Sequence, residues 1–312
     1  MRLKRKQIEP GILLLLTLLP FWSAAQGLNF KRETGGVHIQ EDGMDVLFYQ
    51  TTPTDLDGAY RRANYIHPLY GLDGGILTED FPADHPHHRG IFWAWHQVLA
   101  GGRQLGDAWE CRDFIWDVRE VNLQTSDSVL VLNSKVHWKS PDFKDQTGKL
   151  QPFLEEINHI RVYPRTPNFR IIDFTIALRA LIPDLSLGGS DDEKGYGGFS
   201  VRLKMPEDLQ FSSQQGPVIP TETAVRAGTW MNISGSLGKN GALGGLVIAS
   251  KNNFNQDGAC WILRKNGSMQ NAVFPGRDPL PVSEKNPLVL RYRLLLYKGE
   301  LSTARILDLL SI

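Results

Sequence analysis

The feature that most constrains this chain is alternation. Within residues 169–181, Ile172, Phe174, Ile176, Leu178 and Ala180 share one parity, and Asp173, Thr175 and Arg179 share the other. Within residues 288–298, Leu290, Tyr292, Leu294 and Leu296 oppose Val289, Arg291, Arg293, Leu295 and Tyr297. Successive side chains on a strand point to opposite faces, so this pattern makes one face for a core and one for solvent or a groove. Shorter strand-forming runs lie at 37–40, 44–50, 91–98, 114–118, 129–132, 135–138, 157–163, 199–204, 245–249 and 260–264. Gly, Pro, Asn and Asp clusters separate them. One helix is expected, at the C-terminal end, where Ser302 or Thr303 caps a segment with Ile306, Leu309 and Leu310 on one face. Strands and long helices do not alternate, which argues against a parallel α/β sheet. The expected fold class is therefore all-β: a large, mostly antiparallel β-sandwich of about a dozen or more strands, with a short C-terminal helix.

The first residues carry a different signal. Arg2, Lys4, Arg5 and Lys6 precede an apolar run from Ile12 to Trp22, and Ser23-Ala24-Ala25 supplies small residues before Gln26. That is the pattern of a secretory signal peptide, and the run is too short for an ordinary membrane span. The expected organisation is a leader at 1–25 and a single β-sandwich domain at 26–312, in the periplasm or secreted. An uncleaved N-terminal anchor is the alternative. The chain has 34 basic and 34 acidic residues, and the leader takes four basic residues and Glu9, leaving 30 against 33. A net charge of −3 offers no footprint for nucleic acid, and no stable membrane insertion is expected after cleavage. Cys111 and Cys260 are the only cysteines. A disulfide between them and two separate thiols are both open.

Four of the eight histidines fall in the stretch Asp84-His85-Pro86-His87-His88-Arg89-Gly90-Ile91-Phe92-Trp93-Ala94-Trp95-His96. Imidazole exchanges a proton near neutral pH and is the commonest metal ligand. Beside Arg89 and the flat indoles of Trp93 and Trp95 it suggests a polar pocket with apolar walls, which suits a sugar. Trp93 and Trp95 share one parity, so a core face accounts for them equally well. Three rich loops, at 51–63, 71–89 and 183–198, are candidate carriers of chemistry, the last holding Glu193 among glycines. A metal reading is also open. His85 and His87 lie on the same side of an extended segment, and His67, His96 or Glu79 would supply a third ligand for zinc, copper or iron. His88 and His96 would stand about 26 Å apart on a straight strand, too far to share an ion.

The segments Tyr65-Ile66-His67-Pro68-Leu69-Tyr70-Gly71, His85-Pro86-His87-His88-Arg89-Gly90, Glu193-Lys194-Gly195-Tyr196-Gly197-Gly198, Gly228-Thr229-Trp230-Met231-Asn232 and Arg264-Lys265-Asn266-Gly267 follow one another in this order. Together they resemble the bacterial family of uncharacterised proteins labelled "methane oxygenase PmoA", over roughly residues 37 to 300. The membrane subunit that lends the label has several spans, and this chain has no matching apolar segments, so the label carries no function over. The resemblance implies exported β proteins with a supersandwich similar to that of galactose mutarotases, and hence sugars as ligands. The chain departs from the pattern in its glycine-rich stretch between His96 and Asp107 and in Asn271-Ala272-Val273-Phe274-Pro275-Gly276.

The function expected is that of an exported carbohydrate-active enzyme, a hydrolase, lyase or epimerase working by acid and base. His67, His87, His88 and Glu193 are the candidate catalytic groups. His85, Arg89, Trp93, Trp95, Trp109 and Arg202 are the candidate substrate contacts, the arginines for a carboxylate or sulfate. His67, His85, His87, His88, Arg89 and Glu193 are expected on one concave face. A His87 or His88 base would lose activity as pH falls through about 6.5. No cofactor is expected, although a divalent metal is possible. The alternatives are a metal-dependent oxidoreductase and a non-catalytic glycan-binding protein.

Overall fold

The computed structural model describes residues 27–251 and 259–311. The expected leader lies outside the described residues. Two antiparallel nine-stranded sheets form the body. The first runs, in spatial order, Leu28–Arg32, Gly36–Glu41, Met44–Gln50, Tyr65–Leu69, Ile91–Trp95, Gly197–Val201, Gln270–Val273, Cys260–Ile262 and Val225–Arg226. The second runs Ile115–Thr125, Leu130–Lys144, Leu150–Val162, Phe169–Ala180, Leu288–Lys298, Gly244–Ser250, Trp230–Gly235, Gln210–Ser213 and Gly216–Pro217. A four-stranded sheet holds Gln97–Ala100 and Arg103–Gly106 beside Leu185–Gly188 and Leu280–Pro281, and Thr54–Leu56 pairs with Ala59–Arg62. The protein is an all-β sandwich with one short α-helix, Thr303–Ser311.

Alternation builds the core as its chemistry requires. In Phe169–Ala180 every even-numbered residue from Arg170 to Ala180 is buried. Aromatic side chains then join the sheets: Trp93 meets Phe174 edge-on at 6.3 Å, Phe199 stacks on Tyr292 at 4.5 Å, and Trp95 meets Trp138 at 5.8 Å. Each such ring removed from water contributes about 1.5–3 kcal/mol. One polar hub interrupts this apolar seam. Glu156, fully buried, accepts hydrogen bonds from Trp93 Nε1 (2.7 Å), Trp138 Nε1 (2.6 Å), Asn64 Nδ2 (2.7 Å) and Asn158 Nδ2 (2.6 Å). Burial pushes its carboxyl up and the four donors pull it back.

The strand Leu288–Lys298 buries both parities over much of its length. The helix explains this. Ser302 Oγ accepts the Arg305 amide at 3.3 Å as an N-cap, and Ile306 and Leu309 pack with Ile171, Val247 and Leu295 on the second sheet's outer face. Arg293 ties the layers together, with Nε and Nη2 on the Asp173 carboxylate at 2.6 and 2.7 Å and Nη1 on the Leu309 carbonyl at 3.3 Å.

Some expected strands differ. The separate runs 129–132 and 135–138 fall in one long strand, Leu130–Lys144. The run 91–98 breaks at His96, where the chain leaves the first sheet for the four-stranded one. Asp42-Gly43 and Asp57-Gly58 have positive φ at both positions (50° and 76°, 51° and 84°) and close two tight hairpins. That twist matches the flanking strands, and Asp-Gly supplies it cheaply. Cys111 and Cys260 are both free thiols.

Candidate functional site

The histidines gather because their segment turns. His85 N–H bonds to the Pro82 carbonyl at 3.2 Å, and His88 N–H bonds to the His85 carbonyl at 2.8 Å. Pro86 occupies the second position of the latter turn, where its fixed φ is favourable. His85 and His88 consequently stack face to face at 4.7 Å, and His87 stands edge-on to both, at 5.8 and 4.4 Å. The extended geometry assumed for a His85–His87 metal pair is therefore corrected to a turn. Among the described residues, no group of three or more His, Cys, Asp or Glu side chains is placed to hold an ion. Glu79, one candidate third ligand, accepts from Arg202 Nε at 2.8 Å.

Two buried arginines grip this turn from below. Arg62 donates to the carbonyls of Pro86 (2.6 Å) and His88 (3.2 Å) and pairs with Asp80. Arg89 donates to the carbonyls of His87 (3.2 Å) and Ala108 (3.3 Å) and to Cys111 Sγ (3.2 Å), between the rings of Phe92 and Trp116. At 1% exposure Arg89 meets no ligand; it positions the turn, which corrects the expected substrate contact. Arg202 is corrected likewise, since its guanidinium is buried against Glu79 and, bidentately, Asp84 at 2.8 and 3.1 Å. Burial pushes the Asp84 carboxyl up, but the hydrogen bonds from Arg202 and His85 outweigh it and hold it at about 2. Gly90 allows the following strand to close. A Cβ there would lie 1.8 Å from the Ile66 carbonyl oxygen.

Trp93 and Trp95 belong to the seam between the sheets, both buried, with indole N–H groups on Glu156 and on the Phe274 carbonyl. The stacking role expected of them is corrected to core. Trp109 is different. It sits over the outer face of the first sheet, edge-on to Phe92 at 5.4 Å and to His88 at 6.2 Å, and stacked on His96 at 5.4 Å. His88 and His96 thus flank one indole, far closer than a straight strand would set them. Tyr196 covers Trp109 at 5.5 Å, so the aromatic face open to a ligand is that of Tyr196.

The titrating groups fall into two sets. Burial, then the charges of His85 and Arg89, pushes the His87 imidazole down to about 3. Burial and the neighbouring histidines push His88 down as well, and its buried Nδ1 has no hydrogen-bond partner. Both rings are neutral at pH 7. The activity limb near pH 6.5 expected of a His87 or His88 base is corrected accordingly, because neither ring titrates there. Glu110 moves the other way, pushed up by burial and by the Asp107 charge, and its Oε2 lies 3.5 Å from His87 Nδ1. His96 Nδ1 lies 2.9 Å from Asp107 Oδ2, and Asp107 Oδ1 accepts the Glu110 amide at 2.9 Å. His96 and Asp107 border a cavity of about 400 Å3 that Gln104, Arg112, Asp113 and Asp191 also line.

Residues 36–311 match a family of unknown function, DUF6807. The chain belongs to that family. No curated protein matches it. In this DUF6807 protein two of the expected catalytic groups make no described ring contact with the histidine turn. His67 lies on Tyr65–Leu69 with Nδ1 3.0 Å from Thr78 Oγ1, and burial lowers its pKa. No ring contact joins it to the three histidines among the described residues. Glu193 is exposed on the loop 190–196 and takes part in none of the described hydrogen bonds or ion pairs. Asp107, Glu110, Tyr196 and Tyr60, whose ring is 6.5 Å from His87, were not singled out by sequence. The one available signal was Asp107 and Glu110 flanking Trp109 at three-residue spacing.

Proposed function

We propose that the protein is an exported carbohydrate-active enzyme, a hydrolase, lyase or epimerase, with its acid on the 107–110 loop and its base, His96, held against that loop. Its sugar reading draws on the resemblance to the exported β proteins labelled "methane oxygenase PmoA" and on the aromatic face of Tyr196. In this reading His96 is the base. Asp107 binds Nδ1 and fixes the tautomer, which leaves Nε2 as the basic nitrogen. Glu110 is the acid, a carboxyl kept protonated to higher pH by burial and by Asp107. His87, neutral, orients Glu110 and shapes the wall.

The observation that carries the reading is the Asp107–His96 pair stacked on Trp109, with a raised carboxyl one residue beyond that indole. A carboxyl whose surroundings raise its proton affinity is a candidate general acid. The test is turnover of a glycan panel by wild type, Glu110→Gln and His96→Asn. The expected result is a loss of about 100-fold or more in both variants with folding unchanged. Wild-type rates in both variants would remove the assignment.

A further inference from the structure

On the far side of Tyr196 from Trp109 lies an open groove of about 900 Å3 whose lining includes Lys194, Tyr196, Glu222, Arg264 and Lys265. Three cations face one carboxylate there. Among the described residues none of the three is ion-paired. Arg264 is fixed instead by neutral oxygens: Nη1 donates to the carbonyls of Thr221 (2.8 Å) and Leu263 (2.9 Å), and Nη2 donates to Tyr196 Oη (2.8 Å) and the Glu222 carbonyl (2.9 Å). Its charge is therefore held in place without being neutralised. Lys194 Nζ lies 5.9 Å from the Tyr196 ring centroid on the same groove, and Lys265 is exposed beside it. The Tyr196 hydroxyl accepts from Arg264, and its own hydrogen goes to no described acceptor. It is free to donate.

The groove adjoins the acid–base loop and the histidine turn. Tyr196 packs on Trp109, and Gly267, two residues beyond Lys265, approaches the Asp84 carboxylate beside His85. The cavity on the other side of the loop 190–196 has the opposite character, with Asp107, Asp113, Asp142 and Asp191 against Arg112. A ligand crossing Tyr196 would meet positive potential at one end and negative at the other. Such a field selects and orients a charged ligand.

We propose that the groove of Lys194, Tyr196, Arg264 and Lys265 is a subsite for an anionic sugar residue, a uronate or a sulfate ester. This rests on the glycan reading above and names its substrate class. The two ammonium groups and the tyrosine hydroxyl make the direct contacts, and the fixed guanidinium supplies the field. The open shape accommodates a unit of a longer chain. This anion site replaces Arg89 and Arg202, whose charges are committed to the fold.

The test measures binding of a tri-galacturonate, a sulfated galactose trisaccharide and a neutral cello-oligosaccharide to the full chain. Wild type is compared with Lys194→Ala/Lys265→Ala and with Glu110→Gln. The lysines are surface groups, so the double variant should fold. It is expected to lose about tenfold in affinity for the anionic probe that wild type prefers, to lose the salt dependence, and to bind the neutral probe as before. Preference for the galacturonate assigns the carboxylate, and preference for the sulfated probe assigns the ester. Equal binding of neutral and anionic probes, or an unaffected double variant, overturns the subsite. Glu110→Gln separates the two claims. It should keep anionic binding and lose turnover. Wild-type turnover in Glu110→Gln with lysine-dependent binding would sink the acid–base reading and leave the subsite standing. Undiminished turnover of neutral glycans by the lysine variant, without anion preference in wild type, would do the reverse.

Discussion

Glu156 and Glu110 are both pushed up by burial, yet they do opposite work. Glu156 lies between the sheets and is saturated by four N–H donors. Glu110 lies outside the first sheet with a neutral imidazole at 3.5 Å as its side-chain partner. The tryptophans divide the same way. Trp93 is locked by a hydrogen bond inside the seam, while Trp109 stacks on the His96 imidazole at the border of a cavity. A carboxyl that is raised but fully bonded is a structural hub, and one that is raised and underbonded is a candidate for chemistry.

The sharpest way to break this contrast is to change one atom in each glutamate. Glu156→Gln turns one acceptor into a donor facing an N–H group, and should cost about 2–4 kcal/mol in urea unfolding. Turnover per folded molecule should stay near wild type. Glu110→Gln should do the converse, with stability changed by less than about 0.5 kcal/mol and turnover lost. Similar stability losses in both would erase the distinction.

A smaller effect separates the regions by pH. His87 and His88 have lowered values in the fold, so below about 6.5 the unfolded chain binds more protons and stability falls with pH. Above that point both states hold neutral imidazole and the penalty is absent. For His87 the loss continues until pH approaches about 3. The raised carboxyls of Glu110 and Glu156 pull the other way, so the informative quantity is a difference between variants. His87→Gln should flatten the acid limb of stability by about 1.4 kcal/mol per pH unit between roughly 6 and 4. An unchanged limb would mean that His87 charges freely in the fold. Smallest is the thiol contrast. Cys260, partly exposed, should react with an aromatic disulfide reagent in the native state, and buried Cys111, whose thiol is pushed up by burial, only on unfolding. Equal rates would place Cys111 nearer solvent than its packing against Arg89 allows.

The sheets were legible because period two is local. Residues 169–181 announce their own buried face, and Ile306 and Leu309 announce the helix. The histidine turn was legible as a cluster but not as a shape, since the hydrogen bond that closes it around Pro86 belongs to the folded backbone and not to the residue spacing. Long-range partners were not legible. Arg202 reads as a free cation until Asp84 and Glu79, more than a hundred residues earlier, are placed beside it. Trp93 and Trp95 were ambiguous for a related reason. Both faces of the first sheet are covered near them, one by the second sheet and one by the Trp109 loop, so parity alone does not say which face is the interior.

The strand Leu288–Lys298 lies between Phe169–Ala180 and Gly244–Ser250, at the middle of the second sheet. Residues 115–180 can assemble their meander early, and residues 210–250 theirs, but neither half can pair with the other until this strand is present. During synthesis the chain therefore carries two unpaired strand edges until residues 288–298 leave the ribosome. Edges of that kind recruit other chains. A premature stop anywhere before residue 288 would leave both open for good, so such a product is destined for aggregation or proteolysis rather than for a smaller version of the fold. The strand works as the keystone of a two-part arch, set after both halves and bearing on both.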